Sequence, residues 1–261
     1  MSANLLQGKN VAITGATTGI GRAIAIGMAQ QGANIAILYL PAEYEHVRTL
    51  EEEIKAIRNS ANVFVGVPGD VSNPEDSRKL VNATVEKFST IDVMVANAGI
   101  CQYRDFLSAP PEFYYKHIRV NLDGVYFAVQ AAGNQMKKQG NGGSIIATAS
   151  IRSLRGGSQV VEYTASKGGV LSIVQAAAVA LGPMGIRVNA LLPGTIHTPM
   201  LDEAIKDEGQ DVSKLVRNIP LGRLGQPKDL AGPAIFLASD MSEYMNGSQM
   251  LVDGGLFVNL E

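Results

Sequence analysis

The 261-residue chain has no tryptophan, one cysteine and three histidines. Cys101 alone cannot close an internal disulfide, which excludes a disulfide scaffold and points to a reducing compartment, the cytoplasm. His46, His117 and His197 fall in unrelated segments. None stands at metal-ligand spacing from a cysteine or carboxylate, so no metal is expected. Charge is sparse and balanced, with 22 Lys and Arg against 24 Asp and Glu. No basic stripe marks a nucleic-acid surface, and no polybasic segment marks a membrane surface. Long apolar runs are also missing. The most apolar stretch, Val170 to Leu181, is broken by Ser172 and Gln175. It is expected to fall short of the ~20 residues that span a bilayer, and to be buried against a sheet and another subunit. Met1 to Lys9 has no basic segment leading into an apolar run, so no signal peptide is expected. A G-x-S-x-G elbow and a G-x-x-x-x-G-K-[ST] loop are both absent. Their absence argues against an α/β-hydrolase and a P-loop nucleotidase.

Apolar residues, by contrast, make up 46% of the chain, and there are 28 glycines. The first figure supplies a large core and excludes a disordered chain. The second requires many turns or close approaches to the backbone, because glycine costs entropy elsewhere. Seven short apolar runs read as buried parallel strands: Asn10–Thr14, Asn34–Leu38, Val63–Val67, Val93–Ala96, Ser144–Thr148, Arg187–Leu191 and Gln249–Val252. Helical patterns separate them. Across Ala42–Asn59 the residues Val47, Leu50, Ile54 and Ile57 recur at helical spacing. Asn73-Pro74 reads as a cap followed by the first helical turn. The alternation implies one Rossmann-type α/β domain, a doubly wound seven-stranded parallel sheet with helices on both faces. The less regular, more charged segment 195–218 is expected to form a lid.

The first strand runs into Thr14-Gly15-Ala16-Thr17-Thr18-Gly19-Ile20-Gly21 and then a helix. Glycines in that context let a pyrophosphate reach the backbone, while the helix N-terminus offers free N–H donors. Asp70-Val71 follows the third strand and could meet an adenine ring, although Asp70 alone also reads as a helix N-cap. Asn97-Ala98-Gly99 follows the fourth strand, where glycine admits a ribose but an ordinary loop is equally readable. Tyr39 ends the second strand, where an acid would bind a ribose 2′-hydroxyl and a cation a 2′-phosphate. Neither stands at Tyr39, Leu40, Thr17 or Thr18, a pattern that favours NAD and leaves NADP open.

Of the eight tyrosines, Tyr163 alone has a lysine four residues on, Lys167. The two share a helix face, and a nearby cation is expected to lower the phenol pKa from about 10. Ser150 ends the fifth strand and can hold a substrate oxygen, or can be a simple turn serine. Asn121 stands in the helix before that strand, against its propensity, with packing as the bland alternative. Cys101 reads mainly as a small filler with nothing nearby to lower its pKa.

In this order and spacing, Thr14–Gly21, Asn97–Gly99, Asn121, Ser150, Tyr163 and Lys167 resemble the short-chain dehydrogenase/reductase family along the whole chain. Pro193-Gly194-Thr195-Ile196-His197-Thr198 is similar to the family's loop after the sixth strand. Ala96 and Ala149 depart from its usual Asn and Ser. The resemblance implies hydride transfer between a nicotinamide and a carbon bearing oxygen. It implies that Tyr163 takes the hydroxyl proton and that Lys167 lowers its pKa and holds the ribose. Ser150 would position the substrate oxygen, Asn121 would support a relay water, and Ile196 and Thr198 would contact the carboxamide. It implies a homotetramer with a small-molecule substrate. Residues 92–107 and 232–261 resemble the family's fungal sugar 1-dehydrogenases of L-rhamnose type, which make a lactone. Arg104, Arg152 and Arg155 are candidates to border a sugar, with Gly156 and Gly157 freeing the loop beside it. Reduction of non-carbohydrate ketones is the alternative.

Overall fold

Strand residues in this chain alternate between two cores. In the computed structural model, which describes residues 4–208 and 211–259, the strands are β1 (Asn10–Thr14), β2 (Asn34–Tyr39), β3 (Phe64–Pro68), β4 (Val93–Ala96), β5 (Gly143–Thr148), β6 (Ile186–Pro193) and β7 (Gln249–Val252). Val11, Ile13, Ile35, Ile37, Val93 and Val95 face one side. Ala12, Ala36, Leu38, Met94 and Ala96 face the other. Helices α1 (Gly19–Gln30), α2 (Tyr44–Arg58) and α9 (Lys228–Ala238) cover the first face with Ile24, Met28, Leu50, Ile54 and Leu237. Helices α3 (Pro74–Phe88), α5 (Gly124–Gln139) and α6 (Val161–Leu181) cover the second with Leu80, Val129, Met136, Val170 and Val174. Three layers with period-two strands are what a buried parallel sheet requires.

All seven strands are parallel, in the order β3-β2-β1-β4-β5-β6-β7. Ile13 of β1 pairs with Ile37 on one side and Val95 on the other. Strand order therefore reverses between β1 and β4, and open sheets of this kind bind ligands at that reversal, beyond the C-terminal strand ends. The expected strands and their positions hold, with ends shifted by at most two residues.

Other boundaries correct the sequence reading. The 42–59 pattern divides into a 3₁₀ turn, Pro41–Glu43, and α2, which is closed by Asn59 as its C-cap with φ 46°. Val47, Leu50 and Ile54 are buried, but Ile57 is 36% exposed because it lies at the helix end. Asn73 caps α3 by accepting from the Glu75 N–H, so Asp70 is not the cap. Helix α6 is longer than its apolar core suggested. With the turn that follows, Val161–Met184 is long and apolar enough, by length and composition, to cross a bilayer. Here it lies against the sheet, and it buries Glu162, Ser166 and Lys167.

The segment 195–218 contains α7 (Pro199–Glu208) and α8 (Val212–Arg217). Its base is stitched by a bridge between Ile196 and Gly225 and by the His197 N–H donating to the Gly225 carbonyl. Gly209 and Gln210 of the expected lid, Leu260 and Glu261 of the tail, and Met1 to Ala3 lie outside the described residues.

Candidate active site

A cavity of about 650 Å³ runs along the C-terminal ends of the strands. That is within the usual range for a small-molecule site. At one end the turn after β1 forms its floor. Gly15 and Gly19 have φ of +64° and +54°, open to glycine at little cost. Gly21 is needed for space: a Cβ there would lie 2.1 Å from the Gly15 carbonyl oxygen. Helix α1 then begins with no side-chain cap from Thr18 and no acidic residue in its first turn. Its N–H groups and positive dipole end thus remain available to an anion.

The loop after β4 is fixed to this turn. Asn97 donates from Nδ2 to the Gly15 carbonyl (2.9 Å), and the Asn97 and Ala98 N–H groups donate to Thr14 Oγ1 (3.0 and 3.1 Å). Thr148 at the end of β5 donates to Asn97 Oδ1 (3.2 Å). Tyr39, Asp70 and Val71 line the same end. Asp70 accepts from the Ser72 N–H at 2.8 Å, and its own N–H donates to Asp76. The glycine turn, the wall of Tyr39, Asp70 and Val71 and the uncapped helix fit a dinucleotide's anionic linkage and nucleoside.

At the other end Ser150, Arg152, Tyr163 and Lys167 line the cavity together with Cys101, Tyr103 and Lys116. Lys167 is 3% exposed, and its Nζ donates to the Thr148 carbonyl at 2.7 Å. Burial pulls its pKa down to about 8. Tyr163 is pushed above the ordinary phenol value, first by burial and then by the neighbouring Cys101, while a hydrogen bond with Ser150 opposes the rise. Lys167 Nζ sits 5.8 Å from the Tyr163 ring centroid, and burial dominates the shift of each group.

Asn121 corrects the picture of one long helix. Helix α4 (Pro111–Ile118) and α5 are joined by a π-helical turn, Arg119–Asp123, a distortion often found at functional sites. Asn121 is fully buried there and does not line the cavity. Its Oδ1 accepts from the Ile100 N–H (2.8 Å), and its Nδ2 donates to the Ile100 carbonyl (2.9 Å) and Ser166 Oγ (3.1 Å). It therefore ties the loop after β4 to the helix that carries Tyr163.

Pro193, Gly194, Ile196 and Thr198 complete the wall, with Met200, Leu201 and Ala204 of α7 and Leu215 of α8 above them. Thus the catalytic and cofactor residues expected from sequence line the cavity except Asn121, and of the expected sugar-bordering residues Ser150, Arg152 and Tyr163 do. Arg104 lies over the Phe113 ring at 5.5 Å, and Arg155 donates to the Leu256 carbonyl at 3.0 Å; neither borders the cavity. Gly156 and Gly157 are likewise outside it, and the Gly156 carbonyl instead receives the Arg152 guanidinium. Burial raises the Cys101 thiol to about 11 although Lys167 and Arg152 pull it down, so the thiol stays protonated and packs. Fully buried His117 accepts the Gln102 N–H and is fixed against the Phe113 carbonyl, a structural role. Lys116 and the α7 residues were missed because only the packed fold brings them to this wall. Glu43, also on the wall, was missed although an acid near the end of β2 was the signal sought.

Comparison with known proteins agrees with this geometry. Residues 15–257 match a family model described as enoyl-(acyl carrier protein) reductase. The chain is 53% identical to an L-rhamnose-1-dehydrogenase of Scheffersomyces stipitis, over 98% of this chain and 99% of that one. It is 48% identical to an L-rhamnose 1-dehydrogenase (NAD(P)(+)) of Azotobacter vinelandii, over 98% and 100%. The structure of a short-chain type dehydrogenase/reductase from Mycobacterium marinum superposes with a TM-score of 0.90 at 35% identity, covering 97% of each chain. The chain belongs to the short-chain dehydrogenase/reductase family.

Proposed function

We propose that the protein is an NAD(P)-dependent aldose 1-dehydrogenase of L-rhamnose type that oxidises the anomeric hydroxyl to the lactone. The observation that carries this is the placement of Ser150, Tyr163 and Lys167 on one wall of the cavity whose far end is the glycine turn. Similarity to two L-rhamnose dehydrogenases over nearly the whole chain supports the substrate.

When bound, a nicotinamide cofactor would supply the acceptor for the hydride of the carbinol carbon. Gly15, Thr17, Thr18, Gly19, Ile20 and Gly21, which line the cavity, would hold its phosphates, and Tyr39, Asp70, Val71 and Asn97–Gly99 its adenosine and ribose. Pro193, Gly194, Ile196 and Thr198 would hold its nicotinamide end. Ser150 orients the sugar oxygen, and Tyr163, once ionised to the phenolate, takes its proton as the C=O bond forms. Lys167 holds the ribose and stabilises the phenolate. Asn121 acts from behind Ile100, where it also supports a relay water. Arg152 donates to a sugar hydroxyl.

Initial rates with NAD and NADP across aldoses and polyols test the reading, with L-rhamnose expected to give the highest kcat/KM. No oxidation of any aldose would overturn it in favour of a ketone reductase. Cytoplasmic residence is supported by the single cysteine. Assembly into a homotetramer is supported by α6, an apolar helix with seven of its 21 residues buried and Val179 80% exposed. Closure of α7 and α8 as a lid is supported by Met200 and Leu215 lying on the cavity. Sedimentation of the purified chain tests the tetramer, and hydrogen exchange over Pro199–Glu208 with and without sugar tests the lid.

A further inference from the structure

We propose that Glu43 sets the cofactor preference of this site by presenting a carboxylate where a ribose 2′-phosphate would have to enter. The inference rests on the cofactor reading of the cavity. Strand β2 ends at Tyr39, and the next residue, Leu40, turns its N–H toward the carboxylate of Glu43, which accepts it at 3.3 Å. The chain has only four residues in which to do this, because the 3₁₀ turn Pro41–Glu43 folds the acid back on the strand end. Leu40, Glu43 and Tyr39 line the cavity beside the glycine turn and Asp70. An anion therefore already occupies the donor that the strand end offers. An acid in this region accepts a ribose 2′-hydroxyl, whereas a 2′-phosphate needs a cation.

No cation lines this end of the cavity among the described residues. Among the described residues that line it, the basic ones are Lys116, Arg152 and Lys167. Lys167 holds the Thr148 carbonyl, Lys116 donates to Gln102, and Arg152 follows Ser150, so all three belong to the opposite end. Arg22 does not line the cavity but backs the glycine turn, where it donates to the Thr17 carbonyl at 3.5 Å, and its charge is paired with an acid. Its guanidinium is 3.0 Å from the Glu53 carboxylate and also donates to the His46 carbonyl at 3.1 Å. A phosphate approaching Leu40 would meet one carboxylate and no cation on the cavity wall, with the Arg22 charge behind it already paired with Glu53, which is costly in a partly desolvated pocket.

Binding of AMP and of adenosine 2′,5′-bisphosphate to the full-length protein, followed by calorimetry, tests this without turnover. The wild type is expected to bind AMP about tenfold more tightly. Glu43→Gln keeps an acceptor for the Leu40 N–H and removes the charge, so the ratio should fall to near one. Glu43→Lys should reverse it. A wild type that binds both equally, or a ratio unchanged in both variants, overturns the role of Glu43 and leaves the cofactor reading standing. A folded wild type that binds neither nucleotide overturns both.

Discussion

Burial drives Tyr163 and Lys167 in the same sense, toward their neutral forms. A phenol and an amine, rather than a phenolate and an ammonium, are favoured where water is excluded. Each side chain contributes differently when changed. Tyr163→Phe keeps the ring that packs against the cavity wall and removes only the hydroxyl. It is expected to lower kcat by about 10²–10⁴-fold while AMP binding is retained, measured by steady-state kinetics and calorimetry. Near-full activity in that variant would refute the acid–base role. Lys167 makes a separate prediction for stability. In the unfolded chain it keeps its proton to about 10.5, and in the folded protein it releases it near 8. Between those values the unfolded state binds more protons, so stability rises with pH across this window and the contribution is lost again below it. The shift corresponds to about 3 kcal/mol. Urea unfolding at pH 7.5 and pH 10 should show that slope in the wild type and its loss in Lys167→Met.

At the scale of elements, the site depends on joints between segments far apart in sequence. Ser153 is one of them. It lies in the 3₁₀ turn after β5, accepts the Ser150 N–H at 3.2 Å and donates to the Lys167 carbonyl at 2.8 Å. It thus sets the distance between Ser150, proposed to hold the substrate oxygen, and the helix that carries Tyr163, the proposed proton acceptor. Ser153→Ala is expected to lower kcat by about tenfold with AMP affinity unchanged, because one neutral hydrogen bond and some positional order are lost. A purely structural role would instead lower the melting temperature and leave kcat intact. Such joints explain what sequence could and could not reveal. The strands and the Tyr163–Lys167 spacing are local patterns, and both were legible. The π turn at Asn121, the detachment of Arg104 and Arg155 from the cavity, and the arrival of Lys116 and Met200 depend on packing between elements. No local pattern encodes them.

At the scale of the whole molecule, the cavity gathers residues from Gly15 to Leu215 along one edge of one sheet. A ligand filling it contacts the ends of several strands at once and is expected to stabilise the fold as a unit. Binding to the native state alone adds about 2.7 kcal/mol at a ligand concentration of 100 Kd. For a chain of this size that corresponds to a rise of about 5–10 °C in Tm. Saturating NAD should produce such a rise in the wild type. Gly21→Ala should abolish it, because the added Cβ cannot coexist with the Gly15 carbonyl at 2.1 Å and the turn must open. The substitution lies at the start of a helix, where alanine is favoured over glycine, so the helix itself should persist. Differential scanning fluorimetry with and without NAD separates the two effects. A variant with a normal unliganded Tm but no NAD shift would place the loss in the phosphate cradle. A full NAD shift in Gly21→Ala would show that the ligand does not rest on the glycine turn.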